Sequence, residues 1–424
     1  MREMTSLLIL GATTETVKLI ERANDLGFET FVADPFPDSP GKQCATHPVD
    51  IDCFDIDGIC GLMARYGIDG VLPGCADVLI PVYEEVCDRA GKHCYVNKEV
   101  VRVLNNKRGL KDALISVGLP VVEEYTREQV SSMDFDKFPV FVKPADNNSS
   151  KGMSVVYDHA DFDAAHDKAL SFSRSKTVLI EAYKECDDFN IGFFLQDGEV
   201  AVTFTADRFV NNEQKGVGSI TAGMVYPSQY TTLYFETVHD KMLELFSHLG
   251  FRNGIASIQA FVEDGKIMFY DPALRITGGQ EYILSSYFYG LDILESLINF
   301  AVSGSMGPSG LVRKCDHLFH GGHACNLAFS VKCGTIAHVE GMDYARSLPN
   351  VINVTQEHFG GDVISKAGTA QQNIARMHLV ADSRSELSQL IDELQKRIVA
   401  FDEDGSNMML AGMDPRVALG VTAS

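Results

Sequence analysis

The first hundred residues alternate between two hydrophobic periodicities, and this constrains the fold more than any other feature of the chain. Ser6 to Leu10 is a short apolar run of strand type, and Glu15 to Leu26 carries apolar positions at helical spacing until Gly27 closes it. Glu29 to Ala33 is strand-like again and ends at Asp34-Pro35, and Ile59 to Tyr66 is helical. Gly70 to Leu72 is a short strand before Pro73-Gly74, and Val78 to Gly91 returns to helical spacing. Strands separated by helices predict a parallel sheet with right-handed crossovers. The first turn, GATTET (Gly11 to Thr16), has one glycine where a dinucleotide fingerprint needs three. Residues 1–104 are therefore expected to form a Rossmann-like α/β domain without a pyrophosphate site in that turn.

At 424 residues the chain exceeds what one hydrophobic core spans, so two or three domains or subdomains are expected. A formal charge of -22 argues against nucleic acid as a partner, because phosphate contacts need clustered Lys and Arg. No apolar run reaches about 18 residues, which speaks against a membrane partner. The opening MREMTSLLILGA reads as a first core strand, not a signal peptide. Ten scattered cysteines with no CxxC pair then suit free thiols in a reducing cytoplasm. Cys315, His317, His320, His323 and Cys325 could ligate zinc. Two glycines interrupt that cluster, however, its spacing matches no finger or ribbon, and a β-rich run follows it, so a structural role is expected.

From Asn105 the character changes to α+β. Lys107 to Val117 is an amphipathic helix stopped by Gly118 and Pro120. The run Phe138 to Val142 ends in Lys143-Pro144, and a small polar loop, ADNNSSKG, leads into a second strand, Met153 to Tyr157. Eight residues are more than a tight hairpin turn requires, so this is either a solvated surface loop or a cover for an anion. A helix is expected over Asp161 to Phe172, and a strand over Thr177 to Ile180 runs into Glu181-Ala182-Tyr183. Antiparallel strands are expected over 189–206 and 255–270, with QDGEV and EDGK supplying Asp-Gly turns. The apolar helix Asp292 to Val302 closes this part. The remainder carries strands at 324–332, 335–339 and 375–381 and a helix from Ser383 to Phe401.

Four stretches occur in a telling order: Lys107 opening its helix; Val142-Lys143-Pro144 with its loop; LIEAYKECDDF (Leu179 to Phe189); and SIQAFVEDGKIMFYDPALRITGG (Ser257 to Gly279). Together they resemble the ATP-grasp family, nearest its carbamoyl-phosphate-synthetase-like and biotin-carboxylase-like ligases. The resemblance covers nearly the whole chain. It implies a Rossmann-like N-terminal domain (1–104), an ATP-grasp domain (105–305) with a small lid subdomain at about 115–182, and a β-rich C-terminal lobe (306–424). The segment GGHACNLAFSVKCGTIAHVEG is similar to that lobe and gives His323 a structural place.

The resemblance implies the following roles. ATP carries about four negative charges and needs cations and backbone N–H donors. Lys143 would reach the α- and β-phosphates and Lys107 would approach from its helix. Ser149, Ser150 and Gly152 would fold over the triphosphate, and Lys215 would lie over the phosphates or substrate. Glu181, Ala182 and Tyr183 match the hinge beside the adenine. Asp188 stands where relatives carry a Glu that holds the ribose hydroxyls. Gln259 and Asp271 are the implied metal ligands. Asp271-Pro272-Ala273-Leu274-Arg275 departs from the usual Glu-x-Asn-x-Arg, so one strongly held Mg²⁺ (Mn²⁺ being the substitute) is expected, a second arriving with the nucleotide. Arg275 is the implied catalytic cation, able to fork onto a carboxylate or the transferring phosphoryl group. Gly278 and Gly279 offer backbone N–H groups beside it, and Arg208 would face the substrate.

The implied activity is that of an ATP-dependent carboxylate–amine ligase, which forms an acyl phosphate and passes it to an amine or related nucleophile. Its partners would be small-molecule substrates, its setting the cytoplasm, and its assembly a homodimer. The alternative, motivated by Asp271 and Ala273, is a nucleotide-binding regulatory protein with a degenerate metal site.

Overall fold

The computed structural model describes residues 5–145, 152–173, 175–183, 186–211 and 220–420. The alternating N-terminal pattern becomes a four-stranded sheet of β1 (Ser6–Leu10), β2 (Glu29–Asp34), β3 (His47–Asp50) and β4 (Gly70–Pro73), ordered β3-β2-β1-β4 and parallel throughout. Leu7 to Leu10 are fully buried, as a central parallel strand covered on both faces requires. The helices Val17–Asp25 and Ile56–Tyr66 make crossovers, and Ile80–Ala90 follows β4. β3 escapes sequence reading because it contains Pro48, which lacks a ladder donor. Its place at the sheet edge is where a proline is tolerated.

A small antiparallel sheet follows, β6-β5-β7, built from β5 (Val140–Pro144), β6 (Ser154–Val156) and β7 (Val178–Ala182). The helix Phe162–Phe172 packs on it. Val140, Val142, Val156, Phe162, Ala165, Ala169 and Ile180 form a core separate from the main one.

The largest element is an eight-stranded antiparallel sheet. Its strands are β8 (Asp187–Gln196), β9 (Glu199–Asn211), β10 (Ile220–Tyr226), β11 (Gly254–Glu263), β12 (Lys266–Ala273), β13 (His323–Ser330), Val351–Gln356 and Asn373–Ala381. The order is β12-β11-β8-β9-β10-β13, then Asn373–Ala381, then Val351–Gln356. Asp197-Gly198 and Asp264-Gly265 each hold two consecutive positive φ angles, the geometry of the two-residue I′ hairpin turn. The closing third of the chain thus supplies three adjacent strands of the same sheet.

Two expectations for the closing third are corrected. The helix from Ser383 ends at Arg397, because the β-branched pair Ile398-Val399 turns extended. Val399–Phe401 then pairs with His338–Glu340. The strand expected at 335–339 divides into Gly334–Thr335 and His338–Glu340. In the Cys/His cluster, His320 pairs with Asp316 at 2.7 Å and Cys325 is buried within β13. Among the described residues no helix is long and apolar enough to cross a membrane.

Candidate active site

Asn106 caps the helix Lys107–Ser116, its side chain accepting from the Arg108 and Gly109 N–H groups. The i, i+4 spacing puts Lys107 and Lys111 on one face of that helix. Lys111 and Lys143 are almost wholly buried, and both donate to Glu181, itself 5% exposed, at 2.9 and 2.6 Å. Lys111 also reaches Glu124 at 2.9 Å, and Arg108 donates to the same carboxylate at 2.9 Å. Burial alone would raise the Glu181 carboxyl, but the Lys143 and Lys111 ammonium groups outweigh it and hold the group below its ordinary range. The resemblance implied a hinge role for the Glu181 backbone; its side chain is the anion that fixes two lysines. The neighbouring Ala182 and Tyr183 N–H groups donate to the Glu123 and Pro139 carbonyls at 2.9 and 3.2 Å.

Gln259 and Asp271 face each other across β11 and β12, next to a bulge in the pairing. Such a bulge re-aims side chains without ending the sheet. Lys107 Nζ lies 2.6 Å from Asp271 Oδ1, so the expected phosphate-binding cation and the expected metal ligand neutralise one another here. The Tyr270 hydroxyl stands 3.0 Å from Gln259 Oε1 and 3.0 Å from Asp188 Oδ1, and it has one proton to give. Lys107, Lys111, Lys143, Glu181 and Tyr270 line one small cleft. Asp188 and Arg208 form an ion pair, and Arg208 Nε donates to Thr221 at 3.1 Å. Burial pushes the Asp188 carboxyl up despite Arg208. These two residues, expected on the ribose and on the substrate, therefore meet each other.

Arg275 donates to Asp77 at 2.6 Å and to the Ile276 carbonyl at 3.0 Å. Asp77 follows β4, so the implied catalytic arginine sits at the seam between the first sheet and the large one. The following loop is pinned at several atoms. The Gly279 carbonyl accepts from Asn326 Nδ2 at 2.6 Å and from His378 Nε2 at 2.9 Å. Gln280 Oε1 accepts from Thr355 at 2.9 Å, and Glu281 accepts from Tyr226 at 3.3 Å and from Thr277. A Cβ on Gly279 would fall 1.9 Å from Glu281 Oε1, which explains the glycine. Burial pushes His378 down to about 4, so its imidazole is neutral and Nε2 carries the proton it donates. Asp188, Arg208, Met224, Asn326, His378 and Asn353 stand directly opposite one another on six successive strands. They form one continuous row on a single face of the sheet.

Ser149, Ser150, Lys151 and Lys215 lie outside the described residues. Gly152 adopts φ +78°, and a Cβ there would lie 2.7 Å from Phe172 Cβ. Lys111, Glu124, Asp77, Tyr270, Asn326 and His378 were not legible as site residues in the sequence. One signal was available, the polar Arg376-x-His378 alternation inside the apolar run IARMHLV, which marks a polar strand face.

Among known proteins, the family described as D-ala D-ala ligase C-terminus matches residues 120–271. A formate-dependent phosphoribosylglycinamide formyltransferase of Haloquadratum walsbyi is 24% identical over 64% of this chain and 68% of its own length. For further relatives of that name the match spans only 47–48% of their length. An L-amino acid ligase from Bacillus licheniformis superposes with a TM-score of 0.79 at 16% identity, covering 95% of this chain and all of that one. The biotin carboxylase domain of a Hydrogenobacter thermophilus 2-oxoglutarate carboxylase, solved with MgADP, gives 0.76 at 14% identity over 96% and 92%.

Proposed function

From the premise that this chain has the ATP-grasp fold of the carboxylate–amine ligases, we propose that it activates a small carboxylate as an acyl phosphate and joins it to an amine, releasing ADP and phosphate. One observation carries the proposal. Two cations, Lys107 and Lys143, line one small cleft, Lys107 reaches from it to Asp271 at 2.6 Å, Gln259 stands opposite Asp271 on the neighbouring strand, and the Arg275 loop leaves directly from the strand that holds Asp271. The named activities of the relatives, formyl transfer and amino-acid ligation, supply the substrate classes of the proposal.

A carboxylate and an amide oxygen suit a hard divalent cation, so Gln259 and Asp271 fit Mg²⁺ or Mn²⁺ as part of its shell. Bound there with ATP, the ion would neutralise phosphate charge. Lys143, held against Glu181, is a fixed cation that needs little reordering to meet an anion. Lys107 would exchange Asp271 for a phosphate oxygen. Arg275, tethered by Asp77, would receive the charge that develops on the activated carboxylate. The Gln259–Asp271 pair speaks against the regulatory alternative despite Ala273. Small-molecule partners, a cytoplasmic setting and a homodimer complete the proposal.

An ADP-release assay with Mg²⁺ and paired panels of carboxylates and amines tests it. Turnover should need both partners and should vanish in Lys143→Ala with an unchanged far-UV spectrum. Sedimentation tests the dimer. Absence of ADP with every pair would overturn the ligase proposal.

A further inference from the structure

We propose that the polar sheet face beside the Arg275 loop is the seat of the amine-bearing substrate, and that this substrate is a small zwitterion of amino-acid type. Its anionic end would lie on Arg376 and its cationic end toward Glu357 and Glu15. The proposal rests on the ligase reading and gives its site a substrate class.

Arg376 is an anomaly among the buried cations. It is 9% exposed, yet it makes no ion pair with any described carboxylate. Its Nη1 donates to Asn326 Oδ1 at 3.2 Å, and its Nε is buried with no partner. Lys42, Lys111 and Lys143, the other described lysines and arginines of comparable burial, each pair with a carboxylate. An unpaired buried guanidinium is expensive to maintain, and its five donors in a planar fork match a carboxylate. The position is where an incoming anion would be held.

The opposite charge stands nearby. Glu357 follows the edge strand Val351–Gln356, and its N–H donates to the Ile374 carbonyl, two residues from Arg376 on the adjacent strand. Its carboxylate accepts no hydrogen bond from any described residue, and it stands more than 4.0 Å from the Arg376 guanidinium nitrogens. Glu15, from the GATTET turn, comes within 3.8 Å of where a Cβ on Gly278 would be. Burial lifts Glu357 to about 7, Arg376 pulling down and Glu15 pushing up, so both charges are felt at this carboxyl. A cation between Glu357 and Glu15 would relieve their repulsion. Asn326 ties Arg376 to the Gly279 carbonyl, which places the anion end one side chain away from the Arg275 loop. The three groups come from the first turn, the edge of the large sheet and its penultimate strand, and the catalytic loop lies among them.

The test uses the full chain with Mg²⁺, ATP and a panel of small carboxylates. The second substrates are free amino acids, their carboxamides, their N-acetyl derivatives and simple alkylamines. ADP release should require the free amino acid, with carboxamides and alkylamines poorer by roughly 10- to 100-fold in kcat/KM, the range for a hydrogen bond to a charged group. Arg376→Met and the charge-retaining Arg376→Lys should raise the amino-acid KM by a similar factor, leaving ATP affinity by calorimetry unchanged. Glu357→Gln should raise it too. Carboxamides or alkylamines as good as amino acids, or an Arg376→Met KM equal to wild type, would overturn the zwitterion seat while leaving the ligase reading intact. Calorimetric titration of amino acids into the protein with a non-hydrolysable ATP analogue separates the converse case. Binding that Arg376→Met abolishes, without turnover in any pair, would sink the ligase reading and keep the seat.

Discussion

Replacing Glu181 with Gln tests how the cleft holds its cations. Glu181 accepts from Lys143 at 2.6 Å and from Lys111 at 2.9 Å, and all three side chains are nearly buried. At an effective dielectric of about 20, each contact is worth roughly 6 kcal/mol of Coulomb attraction before desolvation is subtracted. Removing the shared anion leaves two ammonium groups buried and repelling one another, with only Glu124 to help Lys111. The expected loss is about 3–5 kcal/mol, the range for breaking a buried pair by removing one partner. The damage should concentrate where Lys143 and Glu181 reside, in β5 and β7. Amide exchange across Val140–Pro144 and Val178–Ala182 should therefore accelerate by roughly two orders of magnitude or more. The pH dependence has a definite sign. The folded Glu181 carboxyl lies below the ordinary value of 4.5, so its stabilisation is fully present above that value. The difference between wild type and E181Q should shrink as pH falls below about 4.5, through the lower folded value. Protection of β5 and β7 in E181Q within fivefold of wild type at pH 7 would refute the account of the bridge.

Gly279→Ala should lower stability by about 1–3 kcal/mol in urea unfolding, because the new Cβ displaces the buried Glu281 from Tyr226 and Thr277. Asp271→Asn should raise the Mg·ATP KM by roughly tenfold or more, since it removes the one carboxylate, and with it the whole formal charge, of the Gln259–Asp271 pair. Glu357→Gln should stabilise the ligand-free protein at pH 8 by at most about 3 kcal/mol and have little effect at pH 4. The folded carboxyl sits near 7 against an ordinary 4.5, so the wild type loses stability as pH rises across that window; flat, superimposable melting curves from pH 4 to 8 would contradict it.

What could be read from the sequence was local. The β/α alternation before residue 90, both Asp-Gly turns and the hairpin containing Lys143 are short-range patterns, and their elements lie within a residue or a few of expectation. Lys107, Lys143, Gln259, Asp271 and Arg275 could be singled out because the resemblance pins each to a motif. Their partners could not. Arg275 finds Asp77 across 198 residues and Lys107 finds Asp271 across 164, and no periodicity connects residues so distant. The hinge expectation for Glu181 concerned its backbone, and the side chain's pairing with Lys111 and Lys143, residues 70 and 38 positions away, was not legible in the sequence. Arg376 and Glu357 could be noticed only as charges inside strand-like runs, and their significance lies in the partners they lack.

The continuity of the eight-stranded sheet also limits how this protein can be rearranged. β10 and β13 are neighbours in the sheet, yet nearly a hundred residues of chain separate them. Asp188 and Arg208 lie on one side of that junction, and Asn326, His378 and Arg376 lie on the other. A chain cut after residue 305 would leave β10 as a bare edge with its backbone groups unpaired, prone to pair with another molecule. Exchange of the closing third between related proteins would replace the Asn326 and His378 donors under the Gly279 carbonyl together with the proposed seat on Arg376, so the anchoring of that loop and the seat would change in one step.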